Sequence, residues 1–239
     1  MGTGWAGPVL SVRLRCVAGL VPPCRRVIDI GSDHALLPIH LVVEGRCDTA
    51  LARDLREGPV AVARRNIARS RTSDRISTEV ADGLEGLVCG PDDVIVIAGL
   101  GGLETADILE RSLASARSAA AVVLQPMKSL PDLRAFLLDH SFVIEREEIS
   151  FDAGRYYGVL RCRAGREEDP PVQPFDDFEL LIGRDLLARC PENLAPYFAT
   201  LRRRLDKEIR GLSASSEPLD LAARQRRTKW IARIDAIDI

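Results

Sequence analysis

Arg26-Val27-Ile28-Asp29-Ile30-Gly31-Ser32-Asp33-His34-Ala35 is the stretch whose reading decides the fold. Val27, Ile28 and Ile30 favour extended backbone, and Asp29 stands at the C-terminal end of the run. Gly31 lacks the Cβ that restricts φ and keeps a ligand at a distance. The run reads as a buried parallel strand opening into a tight turn, the edge at which open α/β sheets bind their ligands. A dinucleotide fingerprint of the form G-x-G-x-x-G needs glycine where Asp33 stands, and an anionic side chain there crowds and repels a pyrophosphate. A ligand carrying a cationic centre or an amino group instead gains from two carboxylates.

The rest of the chain fits that reading. Its 239 residues are 46% hydrophobic, enough for a packed core, and its formal net charge of -2 gives no whole-chain attraction to nucleic acid. The six cysteines form no C-x-x-C pair and the three histidines do not cluster with them, so we expect reduced, mostly structural thiols in a cytoplasmic protein without a metal site. Ala6 breaks the myristoylation pattern that Met1-Gly2 opens. Arg13 and Arg15 interrupt the apolar N-terminal run from Trp5 to Leu10 before it reaches signal-peptide length, and no segment approaches a membrane span.

A short helix around Leu10 to Leu20, stopped by Pro22-Pro23, precedes a regular alternation of apolar runs and helical patterns, the mark of a parallel sheet covered on both faces. Strands are expected at Arg26 to Ile30, Thr49 to Asp54, Ile76 to Val80, Val94 to Ala98 and Ala121 to Gln125. Two more, Val143 to Phe151 and Tyr156 to Arg163, follow each other without a helix, which predicts a hairpin pivoting on Asp152-Ala153-Gly154 at one sheet edge. The charged, proline-bearing stretch Arg166 to Pro174 reads as a boundary, giving a ligand-binding domain over 1–165 and a helical domain over 166–239. In the latter, helices are expected at Phe175 to Ala188, Glu192 to Leu212 and Leu219 to Ile237, broken at Pro191 and Ser213 to Pro218.

Four strand ends carry candidate chemistry. Asp54 ends the second strand, where a carboxylate can accept both ribose hydroxyls of an adenosine moiety. Asp82-Gly83 follows the third strand and is placed to face the adenine ring; taken alone it is as readily an ordinary turn. Ala98 and Gly99-Leu100-Gly101-Gly102 follow the fourth strand, the glycines offering exposed backbone beside a reacting group and room for a planar base. Together with Asp29, Gly31 and Asp33 these residues suit S-adenosylmethionine, whose sulfonium is the cationic centre the first turn asks for. Asp29 is assigned to stabilise that cation and Asp33 to position the amine of the donor or of the acceptor. His34 reads either as a base or as a buried residue fixing the turn.

Asp29-Ile-Gly-Ser-Asp-His-Ala35 with Leu37-Pro38, then Glu57-Gly58-Pro59, Asp82-Gly83-Leu84, Ile97-Ala-Gly-Leu-Gly-Gly102 and Leu124-Gln125-Pro126 resemble the ordered motifs of the bacterial tRNA (adenine(22)-N(1))-methyltransferases. Leu133-Arg134 and Phe136-Leu137 continue the likeness, which covers about residues 10 to 163. The resemblance implies a Rossmann-like, seven-stranded class I methyltransferase domain, S-adenosylmethionine as donor, tRNA as substrate and a small coiled-coil-like helical C-terminal domain. Asp33, His34, Gly99, Gly101 and Gly102 are the candidate catalytic residues. The chain departs from the pattern at Met127, where members usually carry Asn, at Leu36 for Tyr, at Tyr157-Gly158 for an acidic residue after the tyrosine, and at Leu100 for Met. Met127 replaces an amide with a thioether that scarcely hydrogen-bonds.

Between residues 201 and 233 ten cations face four acids. Arg202, Arg203, Arg204, Lys207, Arg227 and Lys229 then read as a phosphate-tracking surface for tRNA, in a monomer or weak oligomer. Other readings at this point are a methyltransferase with another target, a nicotinamide-dependent oxidoreductase, and a non-catalytic RNA-binding or DNA-uptake protein.

Overall fold

Apolar, β-branched runs alternating with helices dictate the architecture in this computed structural model, which describes residues 7–171, 173–212 and 217–238. Met1, Gly2, Trp5 and Ala6 of the N-terminal reading, Val172 in the boundary stretch and residues 213–216 of the helix break lie outside the described residues. The order is α1 (Val12–Leu20), β1 (Cys24–Ile30), α2 (Leu36–Val43), β2 (Cys47–Asp54), α3 (Glu57–Arg69), β3 (Ile76–Val80), β4 (Asp93–Ala98), α4 (Gly102–Arg111), α5 (Leu113–Ser118) and β5 (Ala121–Gln125). It continues through α6 (Leu130–Asp139), β6 (Phe142–Asp152), β7 (Arg155–Ala164), α7 (Asp177–Ile182), α8 (Arg184–Arg189), α9 (Leu194–Leu212) and α10 (Pro218–Asp235). Every expected strand forms, within two residues of its expected ends.

Among the described residues the strands make one sheet ordered β3-β2-β1-β4-β5-β7-β6. Pairing is parallel from β3 to β5, and β7 runs antiparallel to both of its neighbours. The expected hairpin turns at Ala153-Gly154, both with positive φ (+48° and +79°), the backbone that lets a two-residue turn follow the twist of its strands. The strand order reverses between β1 and β4, so the carboxyl ends of these two strands flank the crevice where such sheets place ligands.

Both faces of the central strands are buried. Val27, Val94, Val96 and Val123 pack on one side with Val17, Leu37 and Leu41. Ile28, Ile95, Ile97 and Leu124 pack on the other with Leu109, Leu133 and Leu137. Continuous apolar runs in β1, β4 and β5 are what a sheet covered on both faces requires. The buried Arg134 of α6 donates from Nε to Glu147 of β6 at 2.7 Å and from Nη1 to the carbonyls of Leu180 and Leu181 at 2.7 and 3.1 Å.

The chain divides into two compact units, Met1–Leu181 and Ile182–Ile239. The division falls beyond the 165/166 boundary read from the sequence. The helix expected over Phe175 to Ala188 is two helices, α7 and α8, because Gly183 takes φ +109°, outside helical backbone. In the second unit α9 and α10 run antiparallel, as the ion pairs Arg202–Asp235 and Arg227–Glu208 require. No described helix is long and apolar enough to cross a membrane.

Candidate active site

The first turn builds the site. Gly31 takes φ +74°, and the amides of Gly31 and Ser32 both donate to the carbonyl of Arg53 in β2, at 2.8 and 2.9 Å. Asp33 N then donates to Gly31 O at 2.9 Å, and Ala35, left-handed at φ +52°, starts α2. A left-handed alanine is a costly backbone state that persists only where its surroundings enforce it.

A cavity of about 360 Å³ opens at the carboxyl ends of β1, β2 and β4. Asp29, Gly31, Asp33, His34, Asp54, Ala98 and Gly99 line it together, so the structure gathers seven of the residues the sequence singled out. Asp29 is buried, and burial pushes its carboxyl up to about 7. The nearby Ser32 hydroxyl opposes that shift without reaching hydrogen-bond geometry, and Ser32 Oγ is itself buried with no partner. Asp54 is buried, its Oδ1 accepting from Arg56 N at 2.9 Å. His34 is half exposed, its Nε2 lying 3.0 Å from Asp33 Oδ2, and its carbonyl accepts from Asn66 at 2.9 Å. The reading of His34 as a buried turn-fixing residue is therefore corrected: the ring stands at the cavity rim, because Asp33 and His34 both point out of the turn.

Asp82, Gly83, Gly101 and Gly102 do not line the cavity. Both oxygens of Asp82 accept from Arg111 of α4, at 2.7 and 3.1 Å, and that guanidinium holds the Asp82 carboxyl below the usual range. A Cβ on Gly83 would sit 2.8 Å from Ile108 Cγ2, and one on Gly102 would sit 2.3 Å from Ser129 O. Gly102 is a packing glycine at the start of α4, and Gly101 caps that helix, its carbonyl accepting from Thr105 at 2.8 Å. Of the three glycines after β4, Gly99 alone is open to the cavity; its φ is +89° and its amide donates to Gln125 O at 3.0 Å.

The sequence reading missed Arg13, Leu14 and Arg56, which also line the cavity. Arg13 donates from Nη1 to Oε1 of the fully buried Gln125 and lies 5.9 Å from the Tyr157 ring centroid. Its backbone amide donates to Asp152 Oδ2 at 3.0 Å. No local pattern marks Arg13, because its place depends on α1 folding back over β5 to β7. Two departures from the motif pattern, Leu36 and Leu100, fall on the cavity wall.

In the helical unit the basic run divides. Arg202 pairs with Asp235 and Asp206, while Arg204 and Arg227 pair with Glu208. Arg203 donates to Ala199 O and Thr200 Oγ1, and Lys207 and Lys229 are exposed. Arg226 stacks 5.5 Å from the Trp230 ring centroid.

Burial pushes the Cys16, Cys24 and Cys89 thiols up to about 11 and Cys47 up to about 12, so these thiols stay protonated and unreactive. Among the described residues no cluster of three or more His, Cys, Asp or Glu side chains is placed to hold a metal ion.

Residues 10–160 match the family model described as a methyltransferase domain. The tRNA (adenine(22)-N(1))-methyltransferase of Bacillus subtilis is 35% identical over 156 residues, 65% of this chain and 66% of that protein. The crystal structure of the B. subtilis m1A22 tRNA methyltransferase superposes with a TM-score of 0.81 at 26% identity, covering 95% of this chain and 97% of that one. A Streptococcus pneumoniae protein crystallised in complex with S-adenosyl-L-methionine gives a TM-score of 0.79 at 30% identity, over 95% of this chain and 98% of that one.

Proposed function

The chain belongs to the tRNA (adenine(22)-N(1))-methyltransferase family of S-adenosylmethionine-dependent enzymes, and from that premise we propose that it methylates N1 of an adenine in tRNA, adenine 22 in the D-arm region. The observation that carries the reading is the pair of buried carboxylates, Asp29 and Asp54, at the carboxyl ends of adjacent strands, with a left-handed glycine and the unpartnered Ser32 hydroxyl beside them. These groups fit S-adenosylmethionine: Asp54 presents its carboxylate to ribose hydroxyls, Asp29 opposes positive charge, and Gly31 leaves the backbone open to close approach. When bound, that donor supplies an electrophilic methyl group on a sulfonium.

N1 of adenine owns an in-plane lone pair, so transfer needs in-line approach more than it needs proton removal. The open backbone at Gly99 leaves room for a planar base beside the reacting centre. Asp33, with His34 3.0 Å away, stands at the rim where it opposes the positive charge that methylation places on the base and receives a proton from it afterwards. An adenine that is stacked or paired must first be turned out into the cavity. In this reading the sheet unit holds the donor, the helical unit grips the RNA, and the protein works in the cytoplasm.

The test is incubation with labelled S-adenosylmethionine and unmodified tRNA, followed by mapping of reverse-transcription stops. A new stop at adenine 22 is expected; a stop elsewhere, or none, overturns the assignment.

A further inference from the structure

Arg53 is a large, charged side chain sealed inside the sheet unit beside the cavity, 5% exposed. It sits in register with Ile30 of β1 and Glu79 of β3 and immediately precedes Asp54. Its carbonyl accepts from the Gly31 and Ser32 amides at 2.8 and 2.9 Å, setting the first turn. Its guanidinium reaches the other way: Nη1 donates to Gly83 O and Nη2 to Glu85 O, each at 2.9 Å, while Nε lies 3.1 Å from Glu79 Oε2. The 82–85 loop is pinned from its far side by Ile108 against Gly83 and by Arg111 on Asp82.

We propose that Arg53 is the positioning residue of the donor site, joining the first turn, the ribose-binding acid and the 82–85 loop into one rigid unit before the donor arrives. The proposal rests on the reading of that site as an S-adenosylmethionine site. A guanidinium suits the task because its planar fork offers two fixed donors to two carbonyls two residues apart, whereas a lysine ammonium on a flexible stem satisfies one of them. The first turn and Asp54 line the cavity and are held on a strand residue whose guanidinium is itself anchored on the 82–85 loop, so they cost less to order when the ligand binds, and the benefit is read in donor affinity.

The test compares the full-length protein with Arg53→Lys and Arg53→Met. Calorimetric titrations use S-adenosylhomocysteine and 5′-deoxy-5′-methylthioadenosine, the second lacking the amino-acid arm. Arg53→Lys is expected to bind both about tenfold more weakly, the order of one lost hydrogen bond to a charged donor. It is expected to raise KM for the donor while kcat at saturating donor falls less than about threefold and tRNA affinity holds. Unchanged affinity for both ligands overturns the proposal, and so does a loss that strikes kcat, tRNA affinity and thermal stability together. If neither variant folds, hydrogen exchange on the wild-type protein decides: the Glu85 and Leu87 amides are expected to be protected without donor, and free exchange until donor is added overturns the proposal. Wild-type protein that binds neither ligand defeats the donor-site reading itself, and this inference with it.

Discussion

Arg134 and Glu147 form an ion pair 2.7 Å long in which both side chains are sealed from water, joining α6 to β6 within the sheet unit. Removing one partner of such a pair leaves an uncompensated buried charge, a loss of about 3–5 kcal/mol. Arg134→Ala also orphans the carbonyls of Leu180 and Leu181 that the guanidinium serves. Chemical denaturation of Arg134→Ala is expected to show a loss of that size. An unchanged midpoint shows that the pair contributes no net stability.

Asp29 gives the site a pH dependence whose sign is fixed by burial. Its carboxyl titrates near 7 rather than 3.8, so between those values the folded protein without donor holds a proton that the unfolded chain has released. Stability from this group therefore falls as pH rises through that window. In the proposed donor site a cationic donor needs the carboxylate, so binding is expected to expel the proton, and affinity to drop by up to about tenfold for each pH unit below 7 and to level off above it. Titrations between pH 5.5 and 7.5 measure the slope. Asp29→Asn is expected to bind weakly with no slope over that range; an identical slope in the variant assigns the titration to another group.

Much of this was legible in the chain because the signals were local. Continuous apolar runs gave β1, β4 and β5, and the glycine after the first strand needed only its missing Cβ to be noticed. What escaped depends on partners distant in sequence. Asp82 read as facing an adenine ring or as part of an ordinary turn, and neither reading shows that Arg111, 29 residues away, takes both of its oxygens. Arg13 carries no signal of its own and reaches the cavity only because its amide and guanidinium find Asp152 and Gln125. The helix expected through Gly183 failed because glycine is tolerated in helical patterns, and only tertiary context selects φ +109° there. In the basic run, spacing revealed the cations but not that Asp206, Glu208 and Asp235 neutralise Arg202, Arg204 and Arg227.

The glycines after β4 separate by substitution. Gly102→Ala places a methyl group 2.3 Å from Ser129 O, a backbone atom that cannot yield cheaply. Overpacking of this kind costs about 1–3 kcal/mol, so the melting temperature is expected to fall. Gly99→Ala meets only the Arg13 side chain at 3.8 Å, yet forces a side chain onto φ +89° beside the cavity. Its expected effect is a loss of methyl transfer larger than its loss of stability. Melting curves and initial rates on both variants check the contrast; equal rate losses at equal stability remove the functional distinction between them.

The ion pairs say which residues test the RNA-gripping role proposed for the helical unit. Reversing Arg202 breaks its contact with Asp235, so any loss of RNA binding in that variant mixes charge with structure. Lys207 and Lys229 are exposed, and changing them leaves those ion pairs intact. Each phosphate contact contributes about 0.9 to the slope of log affinity against log salt on duplex nucleic acid. The double variant Lys207→Glu with Lys229→Glu is therefore expected to bind tRNA more weakly at low salt and to shallow that slope by about two, with donor affinity and melting temperature unchanged. Filter binding of tRNA across a salt series makes the measurement. A slope equal to that of the wild type returns these lysines to a solvated face and moves the search for the RNA contact to the cavity rim around Asp33 and His34.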